Sequence, residues 1–468
     1  MEAGDPYLTC QLNLGNREFR LLQLRPSAER GKITCNLRTY PLNDCPSYIA
    51  LSYSWGTNKK YRDIELNHVR FPVWRNLWWF LLHMRLQDRH GFYWIDAICI
   101  NQSDVTEQNH QVQMMGSIYS RAQSVAIWLG EVDKSSNIAM QFIAARKPLD
   151  ANRLSFGEVW TLEQAESVLH LCQRNYWRRI WIVQEVMLAR KSTIFCGSMH
   201  VSWNKLEGLI NDLHRIFEMG LAHTRSAYLR CAYGVLASPA TVIAKAISTR
   251  NERKQSLVTL LEVYRDHEAT DIRDKVYALH GLAEDSEDLP IDYRTSPRDL
   301  LTMLLRHATS KVSQTVKGRK ELLRLGRMMA GILRVHCSDD EIESHLQDAS
   351  SFSSIDVTSS VSTVGSSVSV MTEQIVRTDS ETTIEGTHSQ LSAVGKHNKF
   401  QGKINRKTPM QLACFVLGLI QSRQTSQKAQ EKTQRSKRSC DIQLARRFKG
   451  KFPRMIHTIG ITRTTIAY

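Results

Sequence analysis

The residues best suited to chemistry lie in one short apolar segment, 176–186, which carries two tryptophans, two arginines, a glutamine and a glutamate. Trp181 and Glu185 are four positions apart, so on a helix they share one face. A carboxylate beside a large aromatic wall can hold or polarise a ligand that carries a sugar. In the structural alternative, Trp181 fills the core and Glu185 pairs with a neighbouring arginine. That partner would be Arg178 or Arg179.

A second set of polar residues follows the predicted strands at the points where those strands end. The strands 48–54 and 92–100 are rich in apolar residues, and in parallel sheets ligands bind at the carboxyl ends of the strands. The candidate ligand contacts at these ends are Ser54, Trp55, Gly56, Asp96 and Asn101. Each has a structural alternative. Asp96 can accept backbone N–H groups of the following loop, and Asn101 can cap the next helix.

Strand and helix patterns alternate through the first 200 residues. A strand pair is predicted for 19–24 and 33–37, and core strands for 48–54, 92–100, 124–129 and 193–196. Helical periods occupy 73–86, 163–172 and 180–188, and a further helix opens at Asp104 with Glu107 at capping-box spacing. Strands that are apolar on both faces and alternate with helices predict an α/β fold, with a parallel sheet flanked by helices on both sides.

Composition divides the chain into five parts. The predicted boundaries are 1–46 for a lead-in with short strands, 47–200 for the α/β domain, 201–308 for a mainly helical extension, 309–393 for a low-complexity linker and 394–468 for a basic tail. The linker is rich in serine, valine and threonine and lacks the aromatic residues needed to bury a core. We expect the basic tail to be disordered.

The net charge of +16 belongs almost entirely to the tail. Residues 394–468 contain 17 Lys and Arg against 2 Asp and Glu, whereas residues 1–393 contain 45 against 44. The pI of 9.4 is therefore no evidence for a globular nucleic-acid-binding domain. Such a charge run is typical of a solvated tail, and contact with nucleic acid or an acidic membrane is the minority alternative.

Several functional classes are not indicated. The chain has no P-loop, no Gly-x-Gly-x-x-Gly, no nucleophile elbow and no zinc-protease motif. Its ten cysteines are scattered and match no zinc pattern, so no metal is expected. No signal peptide or membrane-length apolar run is visible, so we expect a soluble protein in the cytoplasm.

Six ordered segments together resemble the fungal heterokaryon-incompatibility (HET) domain. They are Tyr48 to Gly56, Trp94 to Gln102, Glu107 to Ala122, Val125 to Gly130, Arg179 to Glu185 and Ala269 to Leu279. The resemblance covers roughly residues 46–300. It implies an intracellular fungal protein of nonself recognition, whose domain is associated with growth arrest and programmed cell death when incompatible hyphae fuse.

The HET domain is in turn thought to be distantly similar to the TIR domain, which has a flavodoxin-like parallel α/β fold. Many TIR domains carry Trp-x-x-x-Glu on a helix, and that glutamate is essential for cleaving NAD. Trp181 and Glu185 have the same spacing. The resemblance therefore implies that Glu185 is catalytic, that NAD is the substrate rather than a cofactor, and that Ser54, Trp55 and Asp96 line the pocket.

The resemblance also bears on partners. Active TIR assemblies complete their sites by self-association, so we expect this protein to self-associate and to act with other incompatibility proteins. We expect neither nucleic acid nor a membrane span. The competing function is a non-enzymatic protein-interaction module in cell-death or immune-like signalling, for which Glu185 would be structural.

Overall fold

The computed structural model describes residues 5–26, 32–56, 60–147, 159–218, 227–249, 255–311 and 316–344. The predicted basic tail lies outside the described residues, as does the predicted linker from residue 345 onward. Within the described ranges the chain forms one α/β unit with a helical extension.

The strands of the unit are short and belong to a single sheet. They are β1 (Glu18–Leu24), β2 (Thr34–Pro41), β3 (Tyr48–Tyr53), β4 (Tyr61–Leu66), β5 (Val69–Trp74), β6 (Gly91–Trp94), β7 (Ser124–Trp128), β8 (Ser192–Cys196) and β9 (Met199–Ser202). Their order across the sheet is β5-β4-β2-β1-β6-β3-β7-β8-β9. The expected α/β fold is confirmed, but the sheet is mixed. Strands β6, β3, β7 and β8 form a continuous block of four parallel strands, and β2 and β4 form a separate parallel pair.

The parallel block has the strand order of a flavodoxin-like sheet. In chain order β3, β6, β7 and β8 are its first to fourth strands, and across the sheet they run second, first, third, fourth. The order of connection reverses beside β3, and ligands in such sheets bind at that point, beyond the carboxyl ends of the strands. Consecutive buried side chains dominate β3 and β7, which is the pattern of parallel strands covered on both faces.

Helices account for most of the described residues outside the strands. They are α1 (Arg75–Leu86), α2 (Asp96–Cys99), α3 (Val105–Arg121), α4 (Lys134–Ala145), α5 (Leu162–Cys172), a 3₁₀ turn (Asn175–Arg178), α6 (Trp181–Met187), α7 (Trp203–Glu218), α8 (Ala227–Leu236), α9 (Pro239–Thr249), α10 (Leu257–Tyr264), α11 (Asp274–His280), α12 (Pro297–Lys311) and α13 (Val316–Leu333). Among the described residues no single helix is long and apolar enough to cross a membrane, although α8 and α9, bent by 55°, meet the length and composition test as a pair.

One predicted strand is shorter than its apolar run. The run 92–100 was expected to be a single strand, but β6 ends at Trp94 and α2 follows at once. The Cys99 N–H donates to the Ile95 carbonyl at 2.7 Å, and the Asp96 side chain accepts the Ala97 N–H at 2.7 Å. The expectation was wrong because a buried apolar run does not distinguish a strand from one turn of buried helix.

The lead-in is joined to the α/β domain by a buried ion pair. The strand pair predicted at 19–24 and 33–37 is confirmed as antiparallel β1 and β2, and β1 also pairs with β6. Arg20 on β1 donates to both carboxyl oxygens of Glu107 at 2.6 and 2.9 Å, and both side chains are buried. Asp104 caps α3 as predicted, but the Glu107 carboxylate turns towards Arg20 instead of closing a capping box.

The helical extension packs directly on the α/β domain. The Gln184 side chain on α6 accepts the Gly281 N–H at 3.1 Å, just after α11. A Cβ added to Gly281 would overlap the Gln184 side chain and lie 3.1 Å from the Gly116 Cα on α3. Helices continue past residue 308, the predicted end of the extension, because α12 and α13 are amphipathic and pack on each other.

Replacing Gly281 with alanine is expected to destabilise this junction by about 1–3 kcal/mol, because the added methyl group overpacks backbone that cannot retreat. The matched control is Gly331→Ala in α13, where a Cβ would meet nothing within 4 Å. The control should be neutral or slightly stabilising, since alanine favours a helix over glycine. Denaturant unfolding of both variants measures the difference. Equal stability of the two variants would contradict the close approach.

Candidate active site at the carboxyl edge of the parallel strands

Glu185 is a buried carboxyl group in the middle of the fold. It lies on α6, and only 3% of the residue is exposed. Its Oε2 accepts a hydrogen bond of 2.5 Å from the Ser52 Oγ, near the carboxyl end of β3. The Ser52 Oγ is also 2.6 Å from the Tyr176 Oη, so one hydroxyl chain runs from Tyr176 through Ser52 to Glu185.

The structural alternative considered for Glu185 is met only in part. The side chain is buried, but hydroxyl groups, rather than an arginine, contact it directly. Arg178 is exposed and lies 3.9 Å from Glu268. Arg179 donates to the Tyr53 carbonyl at the end of β3, and its charge favours the ionised form of Glu185. Among the described residues Glu185 makes no direct ion pair.

Arg179 is the cation shared by three acidic side chains. Besides Glu185, its charge favours the ionised forms of Asp96 and Asp274. Asp96 comes from the turn after β6, and its Oδ2 accepts the Trp55 indole N–H at 3.0 Å. The structure therefore brings Trp55 and Asp96 together, as the ends of neighbouring parallel strands predict.

The third acid comes from the helical extension. Asp274 opens α11 and is 9% exposed, and its Oδ1 accepts the Tyr293 hydroxyl at 2.7 Å. The Trp181 side chain also lies close enough to Asp274 to favour the ionised form of this carboxyl group. Trp181 is half-buried, so it is neither a fully buried core residue nor a fully exposed aromatic surface. Residues after 200 thus complete the surroundings of the Trp181–Glu185 helix.

Burial dominates the electrostatics of the cluster. It raises the pKa of Glu185 to about 7, against the opposing effects of Arg179 and Ser52. Burial raises the pKa of Asp274 to about 6, against the opposing effects of Tyr293 and Trp181. The pKa of Asp96 is also raised by burial. Acids whose pKa values approach neutrality cluster at functional sites more often than elsewhere.

The remaining predicted contacts occupy the rim or point elsewhere. The Ser54 carbonyl accepts the Asn76 side-chain N–H at 2.6 Å. Gly56 is exposed at a φ of 94°, a left-handed conformation that favours glycine. The Asn101 Oδ1 accepts the Ser103 N–H at 3.1 Å within its own turn, just before α3. Asn101 therefore uses its side chain to shape the loop that leads into α3.

Several residues of the cluster were not among the predicted contacts. They are Ser52, Tyr119, Tyr176, Asp274 and Tyr293. The Tyr119 hydroxyl is within hydrogen-bonding reach of Glu185 and also donates to the Leu51 carbonyl at 2.9 Å. One available signal was a hydroxyl residue in an apolar strand, as at Ser52, because a buried hydroxyl needs a polar partner.

The arrangement suits proton transfer and charge stabilisation. A carboxyl group with a pKa near 7 exchanges protons easily at neutral pH, and in its ionised form it stabilises positive charge. The described residues contain no group of three or more His, Cys, Asp and Glu side chains arranged to hold a metal ion.

Comparison with known proteins gives two relatives. Heterokaryon incompatibility protein 6, OR allele, of Neurospora crassa is 29% identical over 357 residues, covering 62% of this chain and 51% of its own length. Vegetative incompatibility protein HET-E-1 of Podospora anserina is 26% identical over 95 residues, covering 20% of this chain and 7% of its own length. The chain thus spans about half the length of the first relative. No solved structure matches.

The family comparison matches the segment that holds Glu185. The family model described as Heterokaryon incompatibility protein (HET) matches residues 48–185. The match begins with β3 and ends at Glu185, and it includes Ser52, Asp96 and Tyr176. It excludes β1, β2 and the whole helical extension. Residues 48–185 of this chain are a heterokaryon incompatibility (HET) domain.

Proposed function

We propose that the chain acts in heterokaryon incompatibility, as a cytoplasmic effector that triggers cell death when incompatible cells fuse. The HET domain and the names of its two relatives support this role. We further propose that the effector hydrolyses NAD at the Glu185 cluster. The observation that carries this step is a carboxyl group with a pKa near 7 at the carboxyl edge of a flavodoxin-like strand block.

The proposed reaction breaks the bond between nicotinamide nitrogen and ribose C1′. Nicotinamide leaves with the bonding electron pair and becomes neutral, and a water oxygen bonds to C1′ and loses one proton. The transition state resembles an oxocarbenium ion, so an ionised carboxylate beside the ribose stabilises it. Glu185 would orient the ribose hydroxyls, with Trp55 and Trp181 as flanking aromatic surfaces.

The burial of Glu185 sets a condition on this proposal. The carboxyl group is 3% exposed and is hydrogen-bonded by Ser52, so a ribose reaches it only after the surrounding side chains move. We propose that self-association supplies this movement and that the monomer is inactive. The opening would separate Trp181 and Tyr293 from Asp274, because these contacts tie the extension to α6.

A second candidate is favoured by the same burial. Glu185 is satisfied by hydroxyl groups, which is also what a purely structural carboxyl group requires. In that case the domain is a non-enzymatic interaction module and its surface, not Glu185, carries function. The two candidates differ in one measurable property, the loss of cellular NAD.

The test compares wild type with Glu185→Gln, measuring NAD and viability after expression of the full chain. Glutamine keeps the shape of the protonated carboxyl group and can still accept from Ser52, so the fold should persist. Under the enzymatic proposal NAD loss falls at least about 100-fold, since the stabilising charge is gone. In vitro, the wild-type rate should rise with pH as Glu185 ionises, with a midpoint no higher than about 7, because opening the site relieves the burial that raises its pKa.

The matched control is Glu287→Gln, which makes the same charge change at an exposed position. It should behave as wild type in every assay. Unchanged NAD in cells that die from the wild-type protein would refute hydrolysis and leave the interaction module. Cell death that persists in Glu185→Gln, with NAD still lost, would remove Glu185 from the mechanism.

A further inference from the structure

A polar cleft lies at the β4–β5 side of the sheet. Its volume is about 740 Å³, which lies within the usual range for small-molecule sites. It is lined by Lys60, Tyr61, Arg62, Asp63, Arg75 and Trp78. We refer to these six residues as the β4 cleft. None of them belongs to the Glu185 cluster.

The charges of the β4 cleft are unbalanced. Lys60, Arg62 and Arg75 are exposed cations, and Asp63 is the single acid among its lining residues. The Asp63 Oδ2 lies 2.5 Å from the Arg70 Nη2 on the neighbouring strand, so the charge of Asp63 is already compensated by Arg70. Three cations thus converge on one cavity whose single acidic lining residue is paired with an arginine outside it. Convergent cations of this kind bind phosphate groups.

The positions of the cations are set by the surrounding structure. The Arg62 guanidinium lies over the Trp78 ring at 5.5 Å from the ring centre. The backbone N–H of Arg75 donates to the backbone carbonyl of Lys60 at 2.9 Å. This bond holds the two residues together at the start of α1. The first turn of α1 contains no acidic residue and no side-chain cap, so its positive end is not neutralised.

The cleft also offers aromatic surface. Tyr61 is 55% exposed and packs against Trp74 with ring centres 4.7 Å apart, which leaves the tyrosine ring open on one side. A half-buried Trp78 forms part of the wall. Aromatic rings beside basic groups suit a ligand that joins a planar base to phosphates. Such a ligand is a nucleoside diphosphate or triphosphate.

We propose that the β4 cleft binds a nucleoside polyphosphate, with the phosphates on Lys60, Arg62 and Arg75 and the base against Tyr61. This binding is independent of NAD hydrolysis, because the cleft and the Glu185 cluster share no residue. It gives the chain a second small-molecule site. In the order of strands across the sheet, β4 and β5 are at one end, whereas β7 and β8 lie towards the other end.

The test is calorimetric titration of the full chain with ATP, inorganic pyrophosphate and adenosine. ATP should bind, and the double variant Arg62→Gln/Arg75→Gln should weaken its Kd at least about tenfold, because two charge-assisted contacts are lost. The control Arg25→Gln/Arg38→Gln removes the same charge from exposed positions outside the cleft and should change Kd less than about threefold. Melting temperatures establish that both variants fold.

The three ligands separate the sources of the phosphate. ATP that binds more tightly than pyrophosphate supports a nucleotide site, and equal affinities support a site for free polyphosphate in the same cleft. Adenosine that binds as tightly as ATP overturns the proposal, as does the absence of any phosphate binding. The proposal is also overturned if the cleft variant and the control weaken ATP binding equally. The effect would then come from general attraction between the basic protein, including its tail, and the ATP anion. Glu185→Gln should leave ATP affinity unchanged even if NAD hydrolysis is refuted.

Discussion

Replacing Arg20 with methionine is expected to lower the free energy of unfolding by about 3–5 kcal/mol, a large part of the stability of a typical domain. The variant leaves the Glu107 carboxylate buried without its cation, and a buried uncompensated charge is among the costliest single changes. Arg20 also donates to the carbonyl groups of Cys10 and Cys99, at 2.6 and 3.1 Å. Both carbonyl groups lose this donor, although the Cys10 carbonyl still accepts the Thr39 hydroxyl at 3.0 Å.

Two variants frame the Arg20 experiment. Arg327→Met breaks an ion pair of the same 2.6 Å length between exposed side chains, so denaturant unfolding should remain close to wild type. The double variant Arg20→Met/Glu107→Leu removes both charges and should recover much of the loss, because apolar pairs of similar volume replace buried ion pairs well. A loss in Arg20→Met no larger than in Arg327→Met would contradict the buried pair.

The second large expected effect is a pH dependence of the free energy of unfolding, caused by Glu185. The pKa of Glu185 is about 7 in the folded chain, against 4.5 for an ordinary glutamate. Between these pH values the folded protein keeps a proton that the unfolded chain has released, so stability falls as pH rises from 4.5 to 7. The loss amounts to about 3 kcal/mol and is complete above pH 7.

Glu185→Gln removes this dependence. Relative to wild type, its free energy of unfolding should therefore increase by about 3 kcal/mol between pH 4.5 and pH 8. Asp96 and Asp274 titrate in both proteins, so their contributions largely cancel in the difference. Denaturant unfolding across this pH range measures it, with Glu287→Gln as the exposed control. Parallel pH profiles for wild type and Glu185→Gln would show that Glu185 is not buried in solution.

Glu185→Ala is the less informative substitution. Truncation leaves the Ser52 hydroxyl without its acceptor and opens a cavity at a fully enclosed position. An orphaned buried hydroxyl costs about 1–3 kcal/mol before the cavity is counted. Loss of toxicity in that variant could then reflect unfolding, whereas glutamine separates charge from packing.

Much of the fold could be read from hydrophobic period alone. The strand pair β1–β2, the helix α6 and the strands β3, β7 and β8 follow from local patterns, because burial on one or both faces dictates them. The hairpin strand β5 was not predicted, because the helical pattern was taken to begin at residue 73 and Pro72 weakens the strand signal of residues 69–74. Strand order across the sheet depends on contacts distant in sequence, which local patterns do not encode.

The candidate site was predictable only as separate pieces. The spacing of Trp181 and Glu185 and the strand-end position of Asp96 were visible in the sequence. Their surroundings were not, because Ser52 lies 133 residues from Glu185 and Tyr119 comes from a third element. Burial of Glu185 and the contribution of Asp274 depend on how α11 packs against α6, which no local signal specifies.

The place of β1 in the sheet has a consequence for exchange of genetic material between alleles. β6 has β3 on one side and β1 on the other, although β1 lies outside the segment that matches the family. A recombination breakpoint between residues 24 and 48 would join one parent's β1 to the other parent's β6 and α3. Such a chimaera folds stably only when residue 20 from one parent can pair with residue 107 from the other. The amino-terminal strands and the domain should therefore be inherited together.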